Sequence, residues 1–201
     1  MDTVAVIVAS YGSREVWDGY ARRALASIEN QTRKPDEVIR EHGKSLHEAR
    51  NAAAEQAKQT HIIFLDCDDT LESHYVESAL AGQGDIRYPS VQVFVKEIVS
   101  EPRLLNTGSL LEGNYIVIGA MIRRKDFLRL GGFHDLPFSE DHEFWIRCWI
   151  DGLKIQPCKD AIYQMYVRDG SRNDVPSAEY ARFYQKMKSF YEPLARQMGL
   201  I

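Results

Sequence analysis

Cysteine is scarce. The chain has three, Cys67, Cys148 and Cys158, with no two close in sequence and one left over from any pairing. That excludes a disulfide scaffold, fits a reducing compartment, and offers no CxxC or Cys/His spacing for a zinc site. Basic charge is not in excess either: 25 Lys and Arg stand against 29 Asp and Glu, for a net charge of −4. With no basic stripe to neutralise phosphates, nucleic acid is excluded as a partner. No apolar run approaches the roughly 18 residues of a membrane span, and Met1-Asp2-Thr3-Val4 enters an apolar strand without a basic leader. Internal repeats and low-complexity stretches are missing too. The expectation is a soluble, cytoplasmic protein forming a single domain, 201 residues long and 44% apolar, which is enough to bury a core.

What is present centres on one run. Ile62-Ile63-Phe64-Leu65 leads straight into Asp66-Cys67-Asp68-Asp69-Thr70-Leu71. A short apolar run suits a strand buried on both faces of a parallel sheet, and in open α/β sheets ligands collect just beyond the carboxyl ends of strands. Two carboxylates one residue apart at such an end need a compensating positive charge, which a hard divalent cation with oxygen ligands supplies. The blander alternative is a solvated acidic turn followed by a helix cap.

Around that run the periodicities give a β-α-β-α-β order and so a parallel sheet with right-handed crossovers. Val4–Ala9 is a strand running into Ser10-Tyr11-Gly12-Ser13, and Val16–Gln31 a helix with Trp17, Tyr20, Ala21, Ala24, Leu25 and Ile28 on one face. Glu37–Glu41 is a second strand, and Ser45 caps a helix to about Gln59, with Glu48 completing a capping box. Beyond the acidic run, Ser73 is expected to cap a short helix to Leu80, ended by Gly82 and Gly84. Ile86–Val95 reads as one or two strands, Lys96–Gly113 as a mobile loop, and Asn114–Ile122 as a strand. Helices follow at Arg124–Leu130 and Glu140–Ile150, then strands at Leu153–Gln156 and Ala161–Tyr166. The last helix carries Tyr180, Phe183, Tyr184, Met187, Tyr191 and Leu194 at helical spacing, a stripe read as core packing.

The acidic string resembles two families. DxDx(T/V)(L/V) is the nucleophile motif of haloacid-dehalogenase-type phosphatases, and FLDADD is a form of the metal-binding DxD motif of family 2 glycosyltransferases of the GT-A fold. The phosphatase motif normally lies on the first strand, and no strand here is followed by its second acidic group. The glycosyltransferase pattern matches along residues 3 to 172. Val4–Tyr11 resembles its opening strand, and Leu-Ala-Ser-Ile-Glu-Asn-Gln-Thr-Arg-Lys-Pro-Asp-Glu-Val, residues 25 to 38, resembles its "SL..QT..P.EII" stretch. Ala49-Arg50-Asn51 resembles its ARN, Gly131-Gly132-Phe133 its GGF, and Ser139-Glu140-Asp141 with Phe144-Trp145-Ile146-Arg147 its ED motif and trailing "WLR".

The resemblance implies a single GT-A domain with a Rossmann-like, mostly parallel central sheet flanked by helices. Residues 1–95 would form a nucleotide-sugar-binding half, 96–172 an acceptor and catalytic half, and 177–198 a C-terminal helix. It implies a metal-dependent, inverting hexosyltransferase using Mn²⁺ or Mg²⁺ and a nucleotide sugar donor, a UDP sugar, with an unknown glycan, protein or small-molecule acceptor. Asp68 and Asp66 would hold the metal. Asp141 would be the base, with Glu140 second choice. Ser10, Tyr11, Glu41, Arg50, Asp66, Cys67, Asp68, Gly119 and Ala120 make up the expected donor-binding set. Two departures stand out: Arg40-Glu41-His42-Gly43-Lys44-Ser45 replaces a DDGS-like group, leaving Glu41 as the substitute, and no late His appears near Tyr166–Ser171, where Arg168 or Asp169 would take over. Two alternatives remain: a phosphatase with Asp66 as nucleophile, and a GT-A module that binds a nucleotide or glycan without turnover.

Overall fold

The chain, seen here as a computed structural model, is described over residues 2–105, 108–168 and 176–201. It opens with β1 (Val4–Tyr11), α1 (Arg14–Glu29), β2 (Glu37–Gly43), α2 (Leu46–Gln56) and β3 (His61–Asp66). β1 lies between β2 and β3 and runs parallel to both. Both β1 and β3 are buried along almost their whole length, which explains their unbroken apolar runs. α2 approaches the sheet closely because it turns Ala49, Ala53 and Ala54 inward. Ser45 Oγ accepts from Glu48 N, as expected of the cap, but Glu48 answers on Lys44 N at 3.0 Å.

The chain continues with β4 (Thr70–Leu71), α3 (Tyr75–Ala81), β5 (Ile86–Val95), β6 (Ile98–Val99), β7 (Met121–Arg123), α4 (Arg124–Arg129), α5 (Glu140–Ile150), β8 (Ile155–Val167) and α6 (Ser177–Gln197). One sheet takes the order β2-β1-β3-β7-β5-β8-β4, with β6 paired to β5. Its long pairings are parallel. The antiparallel ones, β3 with β7, β7 with β5, β4 with β8 and β5 with β6, are short joints of two register pairs each. The sheet is therefore mostly parallel, and β7 stitches its two halves together at the amino end of β3, where it pairs with His61 and Ile62.

Four expectations change. Asn114–Ile122 is a strand only from Met121 onward. The apolar residues before it are buried by the walls of a cavity rather than by a ladder, and the backbone turns there, with Ala120 N bonded to Val117 O at 3.1 Å. The two late strands are one, β8, whose register against β5 shifts between Pro89 and Ser90. Proline has no N–H for the ladder, so the bulge falls where a bond cannot form. α3 starts at Tyr75, with His74 at its N-cap position and no side-chain cap; Ser73 Oγ donates instead to Glu72 at 2.7 Å, and Glu72 also accepts from His74 N at 2.9 Å. Along α6, Met187 and Tyr191 are buried, but Tyr180 and Leu194 are 38% and 39% exposed, because only part of the stripe meets the body of the protein.

Among the described residues no helix is long and apolar enough to cross a membrane.

Candidate active site

β3 delivers Asp66 to the sheet edge, and the chain turns at once, Asp69 N bonding Asp66 O at 3.0 Å. Carboxylate oxygens of Asp66, Asp68 and Asp69 come within 4.8 Å of one another. They do different work. Asp69 is buried; Tyr163 Oη donates to its Oδ2 and Tyr166 N to its Oδ1, both at 2.8 Å. Burial, then the neighbouring Asp66 and Asp68, hold its carboxyl well above the usual carboxylate range. With both oxygens engaged, Asp69 ties β8 to the acidic turn. Asp68 is bonded through Oδ2 to Arg168 Nε at 2.6 Å, and Arg23 donates to its backbone carbonyl.

Asp66 is held by Arg50, which stands on α2 with 3% exposure and also donates from Nη1 to Glu140 Oε1 at 2.5 Å. Burial works against the charge of Arg50, but Asp66, Glu140 and Asp141 outweigh it, so the guanidinium is held more firmly protonated than usual. The arginine thus joins the end of β3 to the start of α5. Its neighbour Asn51 clamps the loop after α4: Asn51 Nδ2 donates to Phe133 O at 2.8 Å, and Phe133 N donates to Asn51 Oδ1 at 2.9 Å. Gly132, at φ +65°, leaves room for this clamp, since a Cβ there would stand 2.5 Å from Asn51 Oδ1. Arg147 holds the same loop from α5, donating to Gly132 O at 2.5 Å and pairing with Glu143. The ARN, GGF and WIR groups, far apart in sequence, are one fastening.

α5 begins after Ser139, whose φ of +58° is left-handed and whose side chain makes no cap. Glu140 points inward at 1% exposure. Asp141 is half-buried on the cavity side; its Oδ1 accepts from His142 N at 2.8 Å and its Oδ2 from Asn114 Nδ2 at 3.3 Å. Burial, then Glu140, push its carboxyl up to about 6 against the pull of Arg50. Asp141, Asn114 and Ser139 line one side of a cavity of about 280 Å³, with Asp66, Asp69 and Arg50 also in its lining. A carboxyl poised near neutrality and facing an acidic turn is the arrangement expected of a general base.

The family model for glycosyl transferase family 2 matches residues 38–138, half of the chain, from β2 through the acidic turn and the clamped glycines. The chain belongs to glycosyl transferase family 2. Among solved structures it is similar to S. aureus TarS 1-349 in complex with UDP-GlcNAc, with a TM-score of 0.70 and 15% identity over 94% of this chain and 66% of that one. The same fragment in complex with UDP gives 0.66 and 15% over 94% and 65%, and another TarS crystal structure gives 0.62 and 16% over 82% and 37%. At such identity the likeness is one of fold, and it makes the mixed, mostly parallel sheet a GT-A sheet. This family 2 chain spans between 37% and 66% of the length of these neighbours. No curated protein matches it in sequence.

The remaining donor-set residues are scattered in their placement. Ser10 and Tyr11 stand at the end of β1; Ser10 Oγ shares a hydrogen bond of 3.0 Å with His42 Nδ1, and Tyr11 stacks on Trp17. Glu41 accepts from Gln56 Nε2 at 2.7 Å. Cys67 is buried, its thiol pushed up to about 12 by burial and by Asp66 and Asp68, so it offers a ligand only its backbone. Gly119 and Ala120 are not in the cavity lining. They lie behind it, Gly119 O accepting from Tyr75 Oη at 2.7 Å, and Ile116, Val117 and Ile118 face the cavity instead. Asp169 lies outside the described residues. Asp69 and Asn114 also line the cavity, outside the expected set. The third acid of the run was a visible signal for the first, whereas no spacing marked the second.

Gly119 matters for another reason. A Cβ there would run into the Tyr163 ring and come to 3.0 Å from Tyr75 Oη. Gly119→Ala is expected to destabilise the fold by about 1–3 kcal/mol, the range for overpacking a filled core. At roughly 2–4 °C per kcal/mol a thermal melt would register it. An unchanged melting temperature would mean that Tyr163, and with it Asp69, moves aside without cost.

An oxygen-only donor set suits a hard cation such as Mn²⁺ or Mg²⁺. Asp66 Oδ1 and Asp68 Oδ2 are bonded to arginines, and the second oxygen of each can face an ion. Asp69 has both oxygens engaged and fits a supporting role. The residues present therefore fit an ion held by Asp66 and Asp68.

Proposed function

We propose that this chain is an inverting glycosyltransferase that moves a sugar from a nucleoside diphosphate sugar, a UDP sugar, to a hydroxyl of a glycan, protein or small molecule. The observation that carries the reading is Asp141, with its raised pKa, in the lining of the cavity that also holds Asp66. A divalent ion bound by Asp68 and Asp66 would supply positive charge against the charge developing on the departing diphosphate. Asp141 takes the proton of the acceptor hydroxyl as that oxygen attacks the anomeric carbon. Asn114 and the His142 amide orient its two oxygens. One direct displacement inverts the anomeric centre and needs no covalent nucleophile. In this reading residues 1–95 hold the donor, with Ser10, Tyr11 and Glu41 near the nucleotide, and residues 96–172 supply the base and the acceptor surface. Family membership and an acidic strand that comes third in the chain both favour this over a phosphatase.

Calorimetric titration with UDP-GlcNAc or another UDP sugar tests the donor half. Chelation of divalent ions is expected to abolish binding, and Asp68→Ala to do the same without unfolding the chain. Its pair with Arg168 is partly exposed, so losing it should cost the fold about 1 kcal/mol or less. Full affinity in the presence of chelator would remove the metal from the scheme.

A further inference from the structure

Asp68 is enclosed by two arginines. Arg168, one residue past the end of β8, donates from Nε to Asp68 Oδ2 at 2.6 Å and is 29% exposed. Its guanidinium lies 4.8 Å over the Trp17 ring and 5.4 Å over the Tyr20 ring, both on α1. Arg23, from the same helix, donates to the Asp68 carbonyl and stands 3.7 Å over the Tyr166 ring on β8. Of the two, Arg168 pairs with the Asp68 carboxylate and Arg23 with its backbone carbonyl. Arg168 is thus the cation paired with the Asp68 carboxylate, and a guanidinium fork matches phosphate oxygens as well as carboxylate oxygens.

We propose that Arg168 is a binding residue with two partners: it neutralises Asp68 while no ion is bound and passes to the donor's diphosphate when a divalent ion takes Asp68, so that ion and nucleotide bind as a pair. The proposal rests on the donor-site reading above. An ion arriving alone must share Asp68 with a cation already bonded to it, and it leaves Arg168 with no anion in exchange. An ion arriving with a diphosphate gives Arg168 a new anionic partner while the guanidinium can keep its aromatic platform on Trp17 and Tyr20. The coupling is reciprocal: whatever factor UDP adds to ion affinity, the ion adds to UDP affinity.

The test is a titration with Mn²⁺, read by the electron paramagnetic resonance signal of the free ion, first without and then with UDP. Wild type, Arg168→Gln, Arg168→Lys and Asp68→Asn are compared after their melting temperatures confirm folding. Arg168→Gln is expected to bind Mn²⁺ alone about tenfold more tightly than wild type, and UDP to enhance Mn²⁺ affinity less in this variant, within the 5–150-fold range of coupled sites. Arg168→Lys should fall between, and Asp68→Asn should lose the ion. Tryptophan fluorescence gives an independent readout: a change on adding Mn²⁺ with UDP, small with Mn²⁺ alone, that is lost in Arg168→Gln. If Arg168→Gln matches wild type in both titrations while Asp68→Asn abolishes binding, the donor site stands and the exchange is overturned. If wild type binds neither Mn²⁺ nor UDP, or Asp68→Asn binds both as wild type does, the donor-site reading fails and takes this inference with it.

Discussion

Asp141→Asn is expected to lower sugar transfer by about 10²–10⁴ while donor affinity stays near the wild-type value, the separation that marks loss of a general base rather than loss of a binding group. The substitution is isosteric, and the amide can still accept from His142 N through its oxygen. The fold should tolerate it. The carboxylate at this position is held with its pKa raised to about 6, so its charged form is disfavoured by folding above the unfolded value of 3.8. Removing that charge offsets the roughly 0.3–1 kcal/mol of helix-dipole interaction that is lost. The same pKa sets the pH profile. A base works when deprotonated, so wild-type transfer should fall away as pH drops through about 6, and this acid limb should vanish from the residual activity of Asp141→Asn. Glu140→Gln should cost less in transfer, because Glu140 already serves Arg50. If Asp141→Asn transferred sugar at the wild-type rate while Glu140→Gln was dead, the two roles would be reversed. Donor hydrolysis assayed with Mn²⁺ settles the remaining alternative, since turnover that disappears in Asp141→Asn is incompatible with a module that only binds.

The parts of this molecule legible in the sequence are those where one local pattern has one physical outcome. Val4–Ala9 and Ile62–Leu65 are apolar without interruption because both faces are buried, and both are strands. Glu140–Ile150 has the expected bounds because an acidic first turn precedes an amphipathic run. Ile116-Val117-Ile118 carries the same β-branched signal as a strand yet pairs with nothing in the sheet; burial against a cavity wall and burial in a ladder demand the same residues. Pro89 and Cys158 face each other at the bulge, so a partner 69 places away (158 − 89) decides whether the late strands are one or two. The site shows the same division. Its acids were visible one by one, but the assignment of Arg50 to both Asp66 and Glu140, of Asp69 to β8, and of Arg168 to Asp68 arises only when the sheet edge brings these elements together.

Arg50→Met should cost the fold about 3–5 kcal/mol, the range for removing one partner of a buried ion pair. Glu140, at 1% exposure, loses the Nη1 bond, whereas Asp66, whose side chain is 33% exposed, can recover hydration. The penalty therefore falls mainly on Glu140, and Arg50→Met combined with Glu140→Met should regain much of the loss, because replacing both members of a buried pair by apolar groups of similar volume is often nearly neutral. A double-mutant cycle by urea unfolding measures this directly. Activity should not recover with stability, since the cation that fixes Asp66 against the start of α5 is gone in both variants. Arg50 also pulls the Asp141 carboxyl down from where burial would leave it. In Arg50→Met that pull is absent, so the acid limb of any residual transfer should move above about 6. An Arg50→Met chain that unfolds at the wild-type urea concentration, with its acid limb unmoved, would show that the guanidinium holds neither the end of β3 nor the base.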